Sequence, residues 1–406
     1  MAGANSRRSL ARMKGTEMLQ SKLPLRHYER LPGEEQRQAR DKVEWLLRQA
    51  GIGLNGSQPW DMQVSNEQLY ARILAQGTLG LGEAYMDGWW DCEQLDQFTC
   101  RALQADLTER IAFTWHDAGL ALRGLLANLQ SKARASIVGE QHYDIGNRLY
   151  ECMLDSRMTY TCGYWRLAAD LEEAQEHKLD LVCRKLGLRE GQRLLDIGCG
   201  WGSFAEFAAR RYGARVVGIT ISREQAELAR QRCRGLPVEI RLQDYRDLRE
   251  SFEHIVSLGM FEHVGWKNHR TYMQVVQRCL TADGLFLLHT IGANRSGIHG
   301  DAWIDRHIFP NGNLPSIAQI GQAIEPGWVM EDWHNFGADY DRTLMAWHAN
   351  FERHWGELAA YYDQRFYRMW RYYLLTCAGS FRARRNQLWQ IVLAKGGVPG
   401  GYQAPR

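Results

Sequence analysis

The run Arg193–Gly202, RLLDIGCGWG, decides the fold of this 406-residue chain. Its apolar half, through Ile197, reads as a strand, and Ser203 to Tyr212 carries helical periodicity. Between them Gly198, Gly200 and Gly202 allow a tight turn and close approach of a ligand to the backbone, while the helix start offers free amides. A strand that ends on Asp196 and turns through glycine into a helix is what a nucleotide-bearing ligand needs. No Walker lysine follows the turn, and the dinucleotide pattern GxGxxG fails because position 203 is serine. The turn Asp196 to Gly202 therefore points to S-adenosylmethionine rather than NAD.

Outward from the turn, RVVGITI, VEIRLQD, HIVSLGM and GLFLLHTIG read as further strands, with helices over Arg223 to Cys233 and His269 to Cys279. The alternation predicts an α/β fold with a parallel, doubly wound, Rossmann-like sheet whose ligands sit at the carboxyl ends of the strands. The acidic residue that usually ends the second strand and binds the ribose is missing. Thr220 and Ile221 stand there, with Ser222 and Gln225 close behind, and Gln225 is the expected ribose partner. Gln243, Asp244 and Tyr245 follow the third strand and suit the adenine, Asp244 accepting from its amino group and Tyr245 stacking on it. The last part, Ile317 to Val392, mixes helices with many aromatics, and no internal repeat is present.

Towards the N-terminus, residues 1–33 read as a basic arm with Arg7, Arg8, Arg12 and Lys14. Residues 34–130 read as a small, mainly helical domain and 131–406 as the catalytic one. Helices are expected over Glu34 to Ala50, Asn66 to Gln76, Leu95 to Leu107 and Leu120 to Leu129, with a short strand near Met62 to Val64. A glycine- and aromatic-rich connection, GTLGLGEAYMDGWWDC, lies among them, and a polar stretch near Ser131 to Ala135 leads into the second part. With 45% apolar and 24% charged residues, the chain is long enough for two folded domains. The 9 cysteines are odd in number and lack any CxxC pair, so they read as reduced thiols without a metal site. There is no run of roughly 18 apolar residues and no signal-type h-region, which points to the cytoplasm. A net charge of +3 is too mild to indicate nucleic acid, though a basic face could meet an anionic bilayer.

Taken together, LLDIGCGWG, VVGITIS, LQDYRD, GMFEHVG and LLHTIG resemble the cyclopropane-fatty-acyl-phospholipid synthases, with related patterns in the mycolic acid cyclopropane synthases. The likeness extends through HYDIGN, MTYTCGYW, IFPNG, MEDWHNFGADYDRTLMAW, AGSFRAR and TLGLGEAYMDGWWDC, and so covers nearly everything after about residue 35. It implies a class I methyltransferase domain that transfers a methylene group, derived from the donor's methyl, to a cis double bond of an acyl chain in a phospholipid.

That chemistry sets requirements. An isolated alkene has no proton to lose beforehand, so the enzyme must align it with the sulfonium methyl and then provide a base once the carbocation has formed. Aromatic faces favour such a cation. The resemblance implies a bicarbonate ion as the base, held by Cys162, Glu262, His289, the backbone of Ile291 and Tyr340. Cys and Tyr can donate to an anion, His can donate or relay a proton, and Glu can accept the bicarbonate hydroxyl while orienting His. Glu262 and His289 are expected to end adjacent strands. The resemblance also assigns Tyr160 and Thr161, in MTYTCGYW, to the donor's methionine end, and Tyr143, in HYDIGN, is placed near the sulfonium or the acyl chain; packing in a helical lid is the alternative for both segments. Cys162 as a small buried apolar residue and Tyr340 as part of an ordinary aromatic loop are the plain alternatives.

Because the lipid lies in a bilayer, peripheral membrane association is expected. The stretch Arg365 to Arg385, RFYRMWRYYLLTCAGSFRARR, is one candidate docking element, with packing as the competing role. Tyr85, Trp89 and Trp90 are another, for the membrane or for pairing two subunits, and a homodimer is expected.

Overall fold

The computed structural model describes residues 33–107, 146–298, 300–325 and 327–406. The basic arm, the helix over Leu120 to Leu129, the polar stretch with its boundary at 130/131, and Tyr143 lie outside these residues.

Three helices open the described chain: α1 (Gly33–Gln49), α2 (Gln68–Met86) and α3 (Leu95–Gln104). A two-residue ribbon, β1 (Gln63–Val64) with β2 (Trp90–Asp91), closes the connection between them. The first helical stretch of α2 breaks after Gln76, where the sequence ends it: Gly77, at φ 57 and ψ -133, kinks the chain, and a second helical stretch runs through the glycine-rich connection to Met86. Close packing selects glycine beyond the break: a Cβ on Gly82 would lie 2.4 Å from the Trp303 ring, and one on Gly80 2.4 Å from the Arg72 carbonyl oxygen.

After α4 (Asn147–Met153) comes α5 (Leu171–Leu186), capped by Asp170 accepting from the Glu173 amide and ended by Gly187 in the left-handed region. The expected alternation follows as β3 (Arg193–Ile197), α6 (Ser203–Tyr212), β4 (Arg215–Thr220), α7 (Arg223–Arg232), β5 (Val238–Leu242), β6 (Phe252–Leu258), α8 (His269–Cys279) and β7 (Leu280–Ala293). The remainder comprises α9 (Ala302–His307), α10 (Ile317–Ile324), β8 (Val329–Asn335), α11 (Ala338–Leu358), α12 (Gln364–Arg382) and β9 (Asn386–Ala394).

One seven-stranded sheet orders these strands β5-β4-β3-β6-β7-β9-β8. The strands from β3 to β7 are parallel, as the alternation predicts. Beyond them β9 runs antiparallel to β7, and β8 antiparallel to β9. The sequence reading had only parallel strands, because β9 and β8 fall in a segment dominated by aromatic helices. β9 is buried along nearly its whole length, which removes the polar-apolar alternation that marks a half-exposed strand. The sheet reverses order between β3 and β6, so the carboxyl ends of β3 and β4 open into a crevice on one side of that point.

The N-terminal helices share a continuous apolar core with the second half of the chain. Tyr85 and Trp90 pack against Tyr372 of α12, and Trp303 of α9 joins them at 4.7 Å from Tyr372. All nine cysteines are free thiols, and eight are buried. Among the described residues no helix is long and apolar enough to cross a membrane.

Candidate active site

At the carboxyl ends of β3, β4 and β5 one cavity gathers Tyr160, Thr161, Asp196, Gly198, Gly200, Thr220, Ile221, Gln225, Gln243, Asp244 and Tyr245. Gly202, the remaining residue expected to contact the donor, does not line it. Instead it starts α6 at φ 83, and a Cβ there would sit 3.1 Å from Ala229 of α7, so its smallness serves helix packing.

The missing ribose acid has a polar substitute. The Thr220 hydroxyl donates to Gln225 Oε1 at 2.9 Å, which fixes the amide plane and turns the Gln225 NH2 group away as a donor for hydroxyls. Ser222 caps α7 by accepting from the Gln225 amide. Asp244 caps the turn after β5 by accepting from the Arg246 amide, and its other oxygen stands 3.7 Å from the Arg246 guanidinium. The Tyr245 ring packs on Tyr272 at 5.0 Å, inside the core behind the crevice.

The segment MTYTCGYW is an irregular strap clamped on both sides, where the sequence left open a helical lid. From α5, Gln175 Nε2 donates to the carbonyls of Thr159 and Thr161, and Lys178 Nζ to Thr161 Oγ1 at 2.7 Å. From α11, Thr343 Oγ1 accepts from the Gly163 amide at 3.1 Å and from Trp165 Nε1 at 2.8 Å, while Asp339 accepts from the Trp165 amide. The strap meets the loop after β6 at Gly259, which sits at φ 68 and where a Cβ would lie 2.7 Å from Thr161 Cγ2.

That loop carries Glu262 on a short 3-10 turn, Phe261–His263, beyond the end of β6. His289 lies within β7, opposite Leu258 at the end of β6, and β7 runs on to Ala293. The expectation that both residues end strands is thus corrected for His289: pairing with β9 carries β7 past its parallel neighbour. Glu262 Oε1 accepts from the Ile291 amide at 2.6 Å, so that amide is engaged by Glu262 rather than open to an anion. Among the described residues Glu262 Oε2 is buried and has no hydrogen-bond partner.

Glu262 does not orient His289 directly. The Gln390 side-chain amide, on β9, lies 3.4 Å from His289 Nδ1, and His289 Nε2 is buried without a partner among the described residues. Cys162 Sγ stands 3.8 Å from the Thr343 hydroxyl. Tyr340 lies one helical turn before Thr343 on α11, with its ring tilted over Phe381 at 4.6 Å and edge-on to Trp347. The Tyr160 hydroxyl bonds that of Tyr373 at 2.9 Å, and its ring packs on Trp347 at 5.2 Å, giving a box of aromatic faces.

Burial dominates the electrostatics. It pushes the Cys162 thiol and the Tyr340 phenol well above their ordinary values, with the neighbouring Cys162, Tyr160 and Glu262 adding to the rise at Tyr340. The Glu262 carboxyl is pushed up to about 7 by burial, against the opposing hydrogen bond from Ile291. His289 is driven well below its ordinary value by burial, helped by Lys178 and Lys185, so its imidazole is neutral. Cys162, Glu262, His289, Ile291 and Tyr340 do not line the cavity themselves. They adjoin it through Thr161 and the Gly259–His263 segment.

Sequence reasoning missed three residues here: Gln390, which orients His289, Arg246, which lines the cavity, and Lys178, which is fully buried against it. Lys178 had a signal, since it falls on the inward stripe of α5 with Leu171, Ala174 and Val182, where a charge is out of place.

Comparison with known proteins follows the same outline. The family model for mycolic acid cyclopropane synthetase matches residues 130–391. The cyclopropane-fatty-acyl-phospholipid synthase of Escherichia coli K12 is 54% identical over 361 residues, covering 89% of this chain and 94% of that protein. The solved structure of the cyclopropane synthase MmaA2 from Mycobacterium tuberculosis superposes with a TM-score of 0.61 at 32% identity, over 64% of this chain and 98% of that one. The mycolic acid cyclopropane synthase CmaA1, solved in complex with SAH and CTAB, gives 0.60 at 31% identity, over 64% and 97%.

Proposed function

The chain belongs to the mycolic acid cyclopropane synthetase family and is an S-adenosylmethionine-dependent methyltransferase, and from this we propose that it closes cyclopropane rings on cis-unsaturated acyl chains of membrane phospholipids. The observation that carries the reading is the pair of unsatisfied buried atoms, Glu262 Oε2 and His289 Nε2, beside the donor cavity. Methylation of an amine would need no bicarbonate cradle.

In this reading Gln225, Gln243 and Asp244 hold the nucleoside of the donor, and the strap holds its other end. Tyr160, Tyr340, Trp347 and Tyr373 present ring faces and exclude water from the carbocation that forms when the alkene takes the methyl. The donor and acceptor types present fit a bicarbonate ion: His289 Nε2–H and the Tyr340 hydroxyl donate to its oxygens, and Glu262 Oε2 accepts its hydroxyl. When bound there, bicarbonate supplies the base that removes a proton from the added methyl. The Ile291 amide acts through Glu262, which it orients. Peripheral docking on a bilayer and a homodimeric assembly remain part of the proposal.

Incubation with S-adenosylmethionine and liposomes of unsaturated phospholipid, followed by mass spectrometry, tests it. The expected product has gained one CH2 per reacted chain and lost the double bond. Buffer scrubbed of carbon dioxide is expected to slow turnover, and added bicarbonate to restore it. A methyl-branched or still unsaturated product, or methylation of the headgroup, overturns the reading.

A further inference from the structure

We propose that Lys185, outside the donor cavity, supplies the positive potential that holds the small anion beside Glu262 and His289, and so is a positioning residue for the reaction. The inference rests on the reading that bicarbonate binds there.

The groups expected to cradle that ion include no cation. Burial keeps the Cys162 thiol and the Tyr340 phenol uncharged, His289 is neutral, and Glu262 can add only negative charge. An anion withdrawn from water without a compensating charge is costly. The compensating charge must stand behind the site.

Strand register shows where it stands. His289 on β7 and His334 on β8 are both direct cross-strand partners of Gln390 on β9, so the three side chains form one row on one face of the sheet. Leu287 and Val392 lie on the same face, two residues along their strands, and α5 covers it with Leu179, Val182 and Leu186. Lys185, also on α5, ends the row. Its ammonium is fully buried, 3.2 Å from His334 Nδ1 and 2.9 Å from Asp332. The Phe336 ring packs against both imidazoles, 4.9 Å from His334 and 5.9 Å from His289. Burial first, then Lys178 and Lys185, keeps His289 unprotonated, so both ammonium groups are felt at the site. Lys178 already donates to Thr161 in the strap.

The plain alternative is an ion pair that only ties α5 to β8. Asp332 does not need it, because Arg406 bonds both of its oxygens, at 2.9 and 2.6 Å. For that pair alone, withdrawing a lysine wholly from water would be unfavourable.

Titration of the full chain with carbon-13-labelled bicarbonate at pH 7, followed by NMR, tests the assignment. S-adenosylhomocysteine is kept bound, so that no sulfonium charge contributes. Lys185→Met is expected to weaken bicarbonate by roughly three- to tenfold, as for one unit charge acting over several ångströms at an effective dielectric of about 20. S-adenosylhomocysteine affinity should stay within about twofold, and Lys185→Arg, which keeps the charge, should restore most of the loss. Unchanged bicarbonate affinity in Lys185→Met, even with a lowered thermal midpoint, makes the lysine structural and overturns the proposal. Equal weakening of S-adenosylhomocysteine does the same. Should that variant fail to fold, Lys185→Met combined with Asp332→Leu removes both buried charges and should still weaken the ion, since Lys185 rather than Asp332 acts on His289; equal affinity sinks the idea. A wild-type chain that binds no bicarbonate refutes the anion site itself, and this inference with it.

Discussion

At Glu262 stability and chemistry pull in opposite directions. In the folded chain burial lifts its carboxyl from the ordinary 4.5 to about 7, so the fold favours the protonated form. A group with a raised folded value contributes fully to stability below its unfolded value, and that contribution is lost as pH rises through the folded one. The window therefore runs from about 4.5 to about 7, and stability falls across it. The proposed role needs the carboxylate, so turnover at saturating substrates should rise through the same window. Glu262→Gln is expected to cut ring formation by roughly 10²–10⁴-fold while leaving S-adenosylhomocysteine affinity within about twofold. At pH 8 the same variant should be the more stable protein by about 1–3 kcal/mol, with the two converging near pH 5. Thermal scans at both pH values check this, and equal midpoints at pH 8 would mean that Glu262 carries no buried charge. Asp196, Gln225 and Asp244 were legible in sequence because strand, turn and helix fix where those side chains must point. Gln390 was not, because its partner His289 lies 101 positions away and the strand that joins them was hidden among aromatic helices.

One scale up, the strap from Met158 to Trp165 depends on a single hydroxyl. Thr343 Oγ1 receives two donors from the strap, the Gly163 amide and Trp165 Nε1, and itself donates to the Asp339 carbonyl. Thr343→Val keeps the shape and strands both donors, which should cost about 2–4 kcal/mol, since each buried unsatisfied group costs about 1–3 kcal/mol. Hydrogen exchange is the sharper measurement: the Gly163 amide should lose protection in the variant while amides of β3 keep theirs. Unchanged exchange at Gly163 would assign the hold on the strap to α5 alone. The motif MTYTCGYW identified the strap, but its clamps were invisible, because Gln175, Lys178 and Thr343 look like ordinary helix residues until the helices are placed in space. The second helical stretch of α2, beyond the kink at Gly77, was missed for a related reason. Glycine argues against a helix locally, and at Gly82 the tertiary contact with Trp303 overrides that preference.

Across the whole molecule, the basic and aromatic stretch on α12 turns out to face inward. Arg368 donates to the carbonyls of Tyr85 and Trp90 and pairs with Asp91 at 2.9 Å. Arg371 reaches the Tyr85 hydroxyl and the Glu93 carbonyl, and Arg382 ties Asp96 of α3 to Asp341 of α11. Of the other docking candidates, Tyr85 and Trp90 are buried in the same contact, while Trp89 is half-buried with the Arg72 guanidinium 4.8 Å over its ring. Packing therefore accounts for most of both elements, Trp89 and Arg365 being the parts left partly exposed. Composition could not separate the two roles, since a cation suited to a phosphate is equally suited to a carbonyl or a carboxylate across an internal seam. Two kinds of force join the halves here: the arginine contacts, and the apolar core shared by Tyr85, Trp90, Trp303 and Tyr372. If the core dominates, calorimetry of the wild-type chain should give one unfolding transition. Arg382→Met, which leaves Asp96 and Asp341 unpaired, should then lower that transition by the equivalent of about 2–3 kcal/mol without splitting it. A second, earlier transition in Arg382→Met would show instead that the N-terminal helices are held by charge, and that the shared aromatic core is too weak to make the halves unfold together.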